Sequence, residues 1–182
     1  GVGRKNGIAV FVQGAFDGEF ARVKVIKKAK TYAVARIEEL IRTSPQRIEP
    51  FCPVFKRCGG CSLQHMTYEK QLEFKHRVVT DNLARIGGIK NVKVNSVIGM
   101  ENPIKYRNKA QYPVGVGKDG PIAGFYARHS HEIVNSETCE IQSPQSQLVM
   151  NAAMRIIKDK EIPVYDEKTG TGIIRHIVTR VA

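Results

Sequence analysis

Residues 51–65 read FCPVFKRCGGCSLQH, and the organisation of the chain follows from them. Three of its four cysteines, Cys52, Cys58 and Cys61, fall inside this stretch, and the fourth, Cys139, lies far downstream. Cys58 and Cys61 form a C-x-x-C, a spacing that brings two sulfurs to one ion or cluster. Gly59 and Gly60 fill the gap. Lacking side chains, they let backbone N–H groups approach sulfur closely. Donors of that kind hold thiolates and tune a bound cluster. Pro53 stiffens the entry to the loop. The four cysteines therefore read as ligands of one metal centre that ties two parts of the chain together.

Four thiolates suit a tetrahedral zinc or an iron–sulfur cluster. The spacing here is uneven, a long gap, a short gap and then a remote fourth ligand, and this favours the cluster. A structural zinc more often shows two C-x-x-C knuckles. Disulfides or free thiols are the plain alternative, and nothing in the sequence marks a secreted chain. The C-x3-C-x2-C spacing used in radical chemistry is absent.

Composition sets the limits around the loop. The 182 residues suffice for one domain or two small ones. Hydrophobic residues make up 42%, which supports a packed core. Lys and Arg number 29 against 17 Asp and Glu, a net charge of +12. An excess this large is the footprint of a polyanion partner; a basic protein that is merely soluble is the alternative. No apolar run reaches the length of a membrane span, and no basic amphipathic helix suits a membrane surface. The expected setting is cytoplasmic and the expected state monomeric.

Upstream of the loop, residues 7–12, 20–26 and 31–41 read as strands. Val23 and Val25 alternate with Arg22 and Lys24, the period of a half-buried strand, and Asp17-Gly18 supplies a turn. Three short strands with basic edges suggest part of a small barrel of a kind that binds nucleic acid. Residues 31–41 also fit a helical period through Ile37, Leu40 and Ile41. Downstream, residues 67–86 predict a helix with Tyr68, Leu72, Val79, Leu83 and Ile86 on one face and with Lys70, Lys75, His76 and Arg77 on its wet side. Residues 92–98 predict a short strand.

Tyr106–Val116 reads YRNKAQYPVGV. Tyr106, Asn108, Ala110 and Tyr112 point one way at strand period, and Arg107, Lys109 and Gln111 the other. Alternate strand residues lie about 6.6 Å apart, near the phosphate step of an extended single strand. A comb of guanidinium, ammonium and amide at that pitch can grip phosphates and a base edge. A polar outer strand face is the plain reading. A second strand, 122–127, completes a hairpin, and Arg128 follows it as a further candidate RNA contact. Phe125 and Tyr126 are candidates for base stacking. His129 and His131 lack a third ligand and do not predict a metal site. Ser143-Pro144 predicts a helix start, Ser at the N-cap and Pro at N1. The last residues, GIIRHIVTRVA, form an alternating strand with no stop signal, which predicts a longer parent chain.

With these pieces assembled, the chain resembles the N-terminal half of the RumA-type 23S rRNA (uracil-5-)-methyltransferases. The stretches that carry the resemblance are GIAVFVQGAFDGE, FCPVFKRCGGCSLQH, LARIGG, YRNKAQYPV, GFYARHSHEIV, the Cys139 segment and GIIRHIVTR. They occur in family order and cover nearly the whole chain. The resemblance implies an α+β chain. Residues 1–49 correspond to an OB-like TRAM barrel for RNA, incomplete because the family's first barrel strand would precede Gly1. Residues 50–66 correspond to the cysteine loop. Residues 67–182 correspond to an antiparallel central domain with two main helices that holds rRNA. Cys52, Cys58, Cys61 and Cys139 match the ligands of a [4Fe–4S] cluster, one iron per thiolate. The related tRNA methyltransferases lack the TRAM domain and the cluster motif, which favours 23S rRNA.

In that family a C-terminal domain binds S-adenosylmethionine and carries the cysteine nucleophile and the proton-abstracting carboxylate, as covalent catalysis at uracil requires. No such segment occurs in these 182 residues, so no catalytic residue is assigned and this stretch by itself is expected to be inactive. Two other classes compete with this reading. One is a stand-alone RNA-binding or chaperone module with a structural metal; the other is a redox-sensing iron–sulfur protein.

Overall fold

A computed structural model describes residues 1–182. They divide into two compact units, one of residues 1–49 and 65–71, the other of residues 50–64 and 72–182. The chain is α+β, with two four-stranded sheets and two main helices. No helix is long and apolar enough to cross a membrane.

The first unit holds β1 (Val2–Lys5), β2 (Ile8–Val12), β3 (Phe20–Lys28) and β4 (Tyr32–Arg42). Asn6 and Gly7, at φ 50° and 77°, form the turn between β1 and β2. A two-residue hairpin favours two left-handed residues of this type. The sequence reading missed β1, because VGRK shows no apolar alternation; it forms on the ladder that β2 offers, from Val2↔Phe11 to Lys5↔Ile8. The sheet order is β1-β2-β4-β3, and no ladder joins β1 to β3. β4 pairs parallel with β2 and antiparallel with β3. Partners on both sides satisfy its backbone groups, so residues 31–41 are strand despite their helix-compatible spacing. Three register shifts along β3 bend that pair.

The interior of this unit is partly polar. The Glu19 side chain is only 1% exposed and meets Arg47 Nε at 2.5 Å. Arg47 also donates to the Gly14 carbonyl at 2.6 Å and lies over the Phe16 ring, 5.1 Å from its centroid. The Phe16 amide donates to Glu19 at 3.1 Å. Burial works to raise the Glu19 pKa, but the hydrogen bonds from Arg47 and Phe16 and the Arg47 charge outweigh it, and the carboxyl sits below its ordinary value. Lys70, expected on a wet helix face, is instead buried, with Nζ 2.9 Å from Asp17 Oδ2. A buried ammonium needs such a partner, and helical period alone does not reveal one.

The helix α1 (Tyr68–Arg85) begins among the residues of the first unit and continues in the second. Its expected apolar face is only partly covered: Val79 is 47% exposed and Ile86 83%. The second unit adds β5 (Lys109–Gly117), β6 (Gly120–Tyr126), β7 (Ile133–Asn135), α2 (Pro144–Asp159) and β8 (His176–Arg180). The sheet order is β7-β6-β5-β8, antiparallel throughout. α2 starts as expected, with Ser143 Oγ accepting from the Ser146 amide and Pro144 in the first turn. Its Met150, Met154 and Ile157 pack on Ala110, Tyr112, Val114 and Ala123 of the sheet. Gly124 is required at its position, since a Cβ there would lie 1.9 Å from the Val134 carbonyl oxygen. Residues 92–98 form no strand. The sheet holds no neighbouring strand for them, so their alternation has no ladder to join.

Candidate metal centre

The loop from Pro50 to Gln64 is built from turns. Phe55 donates to the Cys52 carbonyl at 3.1 Å, Arg57 to Val54 at 3.0 Å and Cys58 to Val54 at 2.8 Å. These bonds turn the backbone around the residues that carry sulfur. Cys58 then bridges to Ala127, and the Gly59 amide donates to the Tyr126 carbonyl at 2.9 Å. Gly59 permits that contact, because a Cβ would stand 2.9 Å from the same carbonyl oxygen. Arg128 fastens the loop from the other side. Its guanidinium donates to the Cys61 carbonyl at 2.5 Å and lies 5.6 Å from the Phe55 ring centroid. Expected as an RNA contact, Arg128 is thus placed where it holds the cysteine loop against the end of β6.

Cys139 arrives from the far side of the sheet domain's sequence. Residues 105–107 are zipped to residues 140–143: Lys105 donates to Glu140 at 2.8 Å, Arg107 to Ile141 at 2.8 Å and Ser143 to Arg107 at 2.9 Å. This pairing sets Cys139 beside the loop. All four cysteines, Cys52, Cys58, Cys61 and Cys139, line one narrow cavity of about 20 Å³. Val54, Phe55, Phe125 and Ile141 make its apolar wall, and Arg107, Gln64 and Glu140 its polar part. None of the thiols is in a disulfide. No three His, Cys, Asp or Glu side chains gather closely enough to hold a single metal ion.

The sulfurs are surrounded by hydrogen-bond donors. The Gly60 amide donates to Cys58 Sγ at 3.3 Å. Burial pushes the Cys61 thiol above its ordinary range, while a hydrogen bond with Gln64 and the charge of Arg107 pull it down. Burial also pushes the Cys139 thiol up, against the hydrogen bonds of the Ile141 and Gln142 backbone. Cys61 feels the charges of Cys58 and Cys52, and Cys139 those of Cys61 and Cys52, so all four cysteines interact electrostatically. Tyr112, fully buried beneath, is pushed up to about 12, first by burial and then by Cys139.

The alternation expected along Tyr106–Val116 is present in part. β5 begins at Lys109, and Ala110 and Tyr112 are buried while Lys109 and Gln111 are exposed. Lys109 stands opposite Arg180, and Gln111 opposite Val178. Arg180 is exposed as well, so the open face of the β5–β8 pair carries two cations directly across from each other. Arg180 escaped the sequence reading; the alternation in HIVTR could have placed it on that face. Arg107 lies before the strand and lines the cysteine cavity instead of continuing the alternation. Tyr106, expected on the same face as Ala110 and Tyr112, is 50% exposed. His131 pairs with Glu167 at 3.0 Å and stacks on Tyr126, with ring centroids 5.2 Å apart.

No protein-family model matches the chain. Curated relatives do. A protein of Caldanaerobacter subterraneus named "uncharacterized RNA methyltransferase" is 48% identical over 183 residues, covering 100% of this chain and 40% of that protein. Proteins of the same name from Bacillus cereus and Clostridium tetani are 42% and 43% identical, each covered over 39% of its length. The chain is thus similar to part of proteins named as RNA methyltransferases. Among solved structures, the Pyrococcus abyssi tRNA (uracil-54, C5)-methyltransferase in complex with S-adenosyl-L-homocysteine superposes with a TM-score of 0.61 at 29% identity. The match covers 96% of this chain and 38% of that one. The chain therefore spans about two-fifths of the length of the relatives it matches.

Proposed function

We propose that these residues are the RNA-holding, cluster-bearing part of an S-adenosylmethionine-dependent methyltransferase that acts on uracil C5 in 23S rRNA. The observation that carries this reading is the arrival of Cys139 in one cavity with Cys52, Cys58 and Cys61, from segments far apart in the sequence of the second unit. The donor set is all sulfur, ringed by N–H groups and apolar side chains, the surroundings that stabilise iron–sulfur clusters. A single zinc would need all four sulfurs about 2.3 Å from one point. A [4Fe–4S] cluster takes one thiolate per iron and needs the sulfurs spread around it. The cavity is narrow, so the turns of the loop must part to seat a cluster. When bound, the cluster supplies a rigid cross-link between Cys139 and the loop. With all four thiolates engaged, none is left as a nucleophile toward uracil. Methyl transfer belongs to the remainder of the parent protein, and this part, a monomer in the cytoplasm, is inactive alone.

Holding the RNA falls to the β5–β8 face. Like charges directly opposite on a sheet are unfavourable, and Lys109 facing Arg180 becomes favourable once an anionic backbone lies between them. The net charge of +12 supplies the long-range attraction. A tRNA substrate is the second reading, favoured by the solved neighbour, whose own substrate is tRNA. Competition between a 23S rRNA fragment and tRNA for the cluster-loaded chain separates them. Preferential binding of the rRNA fragment is expected; preference for tRNA overturns the rRNA assignment, and affinity for neither removes the RNA-holding role.

A further inference from the structure

Arg107 has a place that RNA binding does not account for. Its backbone is fixed on both sides, donating to Ile141 and accepting from Ser143, so the start of its side chain is set by the fold. Arg107 is half-buried and lines the same cavity as Cys52, Cys58, Cys61 and Cys139. No carboxylate forms an ion pair with it, although Glu140 lines the same cavity. A partly buried guanidinium is costly unless an anion stands near it. The groups that share its cavity and can become anionic are the four sulfurs and Glu140.

We infer that Arg107 is the counter-charge of the sulfur centre, an electrostatic partner of the thiolate-bound cluster. The inference rests on the cluster reading above. The potential of an iron–sulfur centre is set by its net charge, by hydrogen bonds to sulfur and by exposure, and Arg107 supplies the one cationic side chain in the wall. Reduction adds one electron to an anionic assembly, so a neighbouring cation stabilises the reduced form more than the oxidised one. Removing the cation makes reduction harder. At a few ångströms, in surroundings between protein and water, removing the cation is expected to shift the reduction equilibrium by about tenfold, or roughly 59 mV for one electron.

The test uses the whole chain, loaded anaerobically with iron and sulfide, as wild type, Arg107→Gln and Arg107→Lys. The structural hydrogen bonds of Arg107 are made by its backbone, so both variants keep the fold, checked by circular dichroism. Midpoint potential under dithionite titration and iron per chain are read together with RNA affinity. The expected result is a potential lowered by about tenfold in equilibrium in Arg107→Gln and close to wild type in Arg107→Lys. Loss of the cluster in Arg107→Gln and its retention in Arg107→Lys also supports the inference. Loss in both variants shows that shape rather than charge matters, and overturns it. An unchanged potential with weakened RNA binding makes Arg107 a phosphate ligand, and overturns it too. Wild-type protein that takes up no iron and sulfide removes the cluster reading itself; wild type that loads normally beside an unaltered Arg107→Gln removes only the role of Arg107.

Discussion

Replacing Cys139 by serine should separate the cluster's contribution to stability from that of the packed sheet. In the absence of a cluster the change is small. Sulfur becomes oxygen at a half-buried position, and the neighbouring amides of Ile141 and Gln142 keep an acceptor, so the cost is about 1 kcal/mol or less. With the cluster bound, Cys139 closes a covalent loop back to Cys61. Roughly eighty residues lie between them, and the chain-entropy relation for a cross-link of that length gives about 4–5 kcal/mol of stabilisation. For a protein of this size that corresponds to a shift on the order of 10 °C. Anaerobic thermal melts of loaded and unloaded protein, wild type and Cys139→Ser, provide the assay. Loading should raise the melting temperature of wild type by about that amount and that of the variant by much less, with iron per chain falling in parallel. An equal rise in both proteins, with equal iron, would refute the claim that Cys139 is a ligand.

Two further outcomes follow from the geometry. Glu19 sits below its ordinary pKa because Arg47 and Phe16 outweigh the burial that would raise it. Its contribution to stability is therefore complete above the unfolded-state carboxylate value, about 4.3, and is lost as pH falls through the lower folded value. Glu19→Gln should destabilise the first unit at neutral pH by about 3–5 kcal/mol, since it strands a largely buried Arg47. It should also flatten the acid limb of the stability curve; an acid limb as steep as wild type's in urea titrations across pH would count against this. Lys109→Ala should weaken RNA binding and reduce the slope of log affinity against log salt by about one, read by fluorescence anisotropy. An unaltered slope would leave Lys109 and Gln111 as an ordinary wet strand face.

The cysteine loop was legible in the sequence because its chemistry is local: C-x-x-C and the intervening glycines announce themselves. Convergence of Cys139 on the loop was readable only as a demand of four-ligand chemistry, and it depends on the zipping of residues 105–107 to 140–143, which no periodicity signals. Alternation correctly oriented Lys109, Ala110, Gln111 and Tyr112. It failed at Arg107 because the strand starts two residues later and the preceding backbone answers to Ile141 and Ser143 instead. Lys70 was misplaced for a related reason. A helical period reports which residues share a face, but not that Asp17 waits within 2.9 Å to receive a buried ammonium. Residues 92–98 show the converse, a strand pattern with no neighbouring strand to complete it. In each case the deciding partner lies far away in sequence.

The central claim is that the four sulfurs hold one iron–sulfur cluster. Native mass spectrometry of anaerobically prepared protein, with iron and sulfide analysis on the same sample, tests it most directly. The account predicts four irons and four sulfides per chain, lost together when Cys52, Cys58, Cys61 or Cys139 is replaced. One zinc per chain, or a metal-free chain whose four thiols all titrate freely, would contradict it.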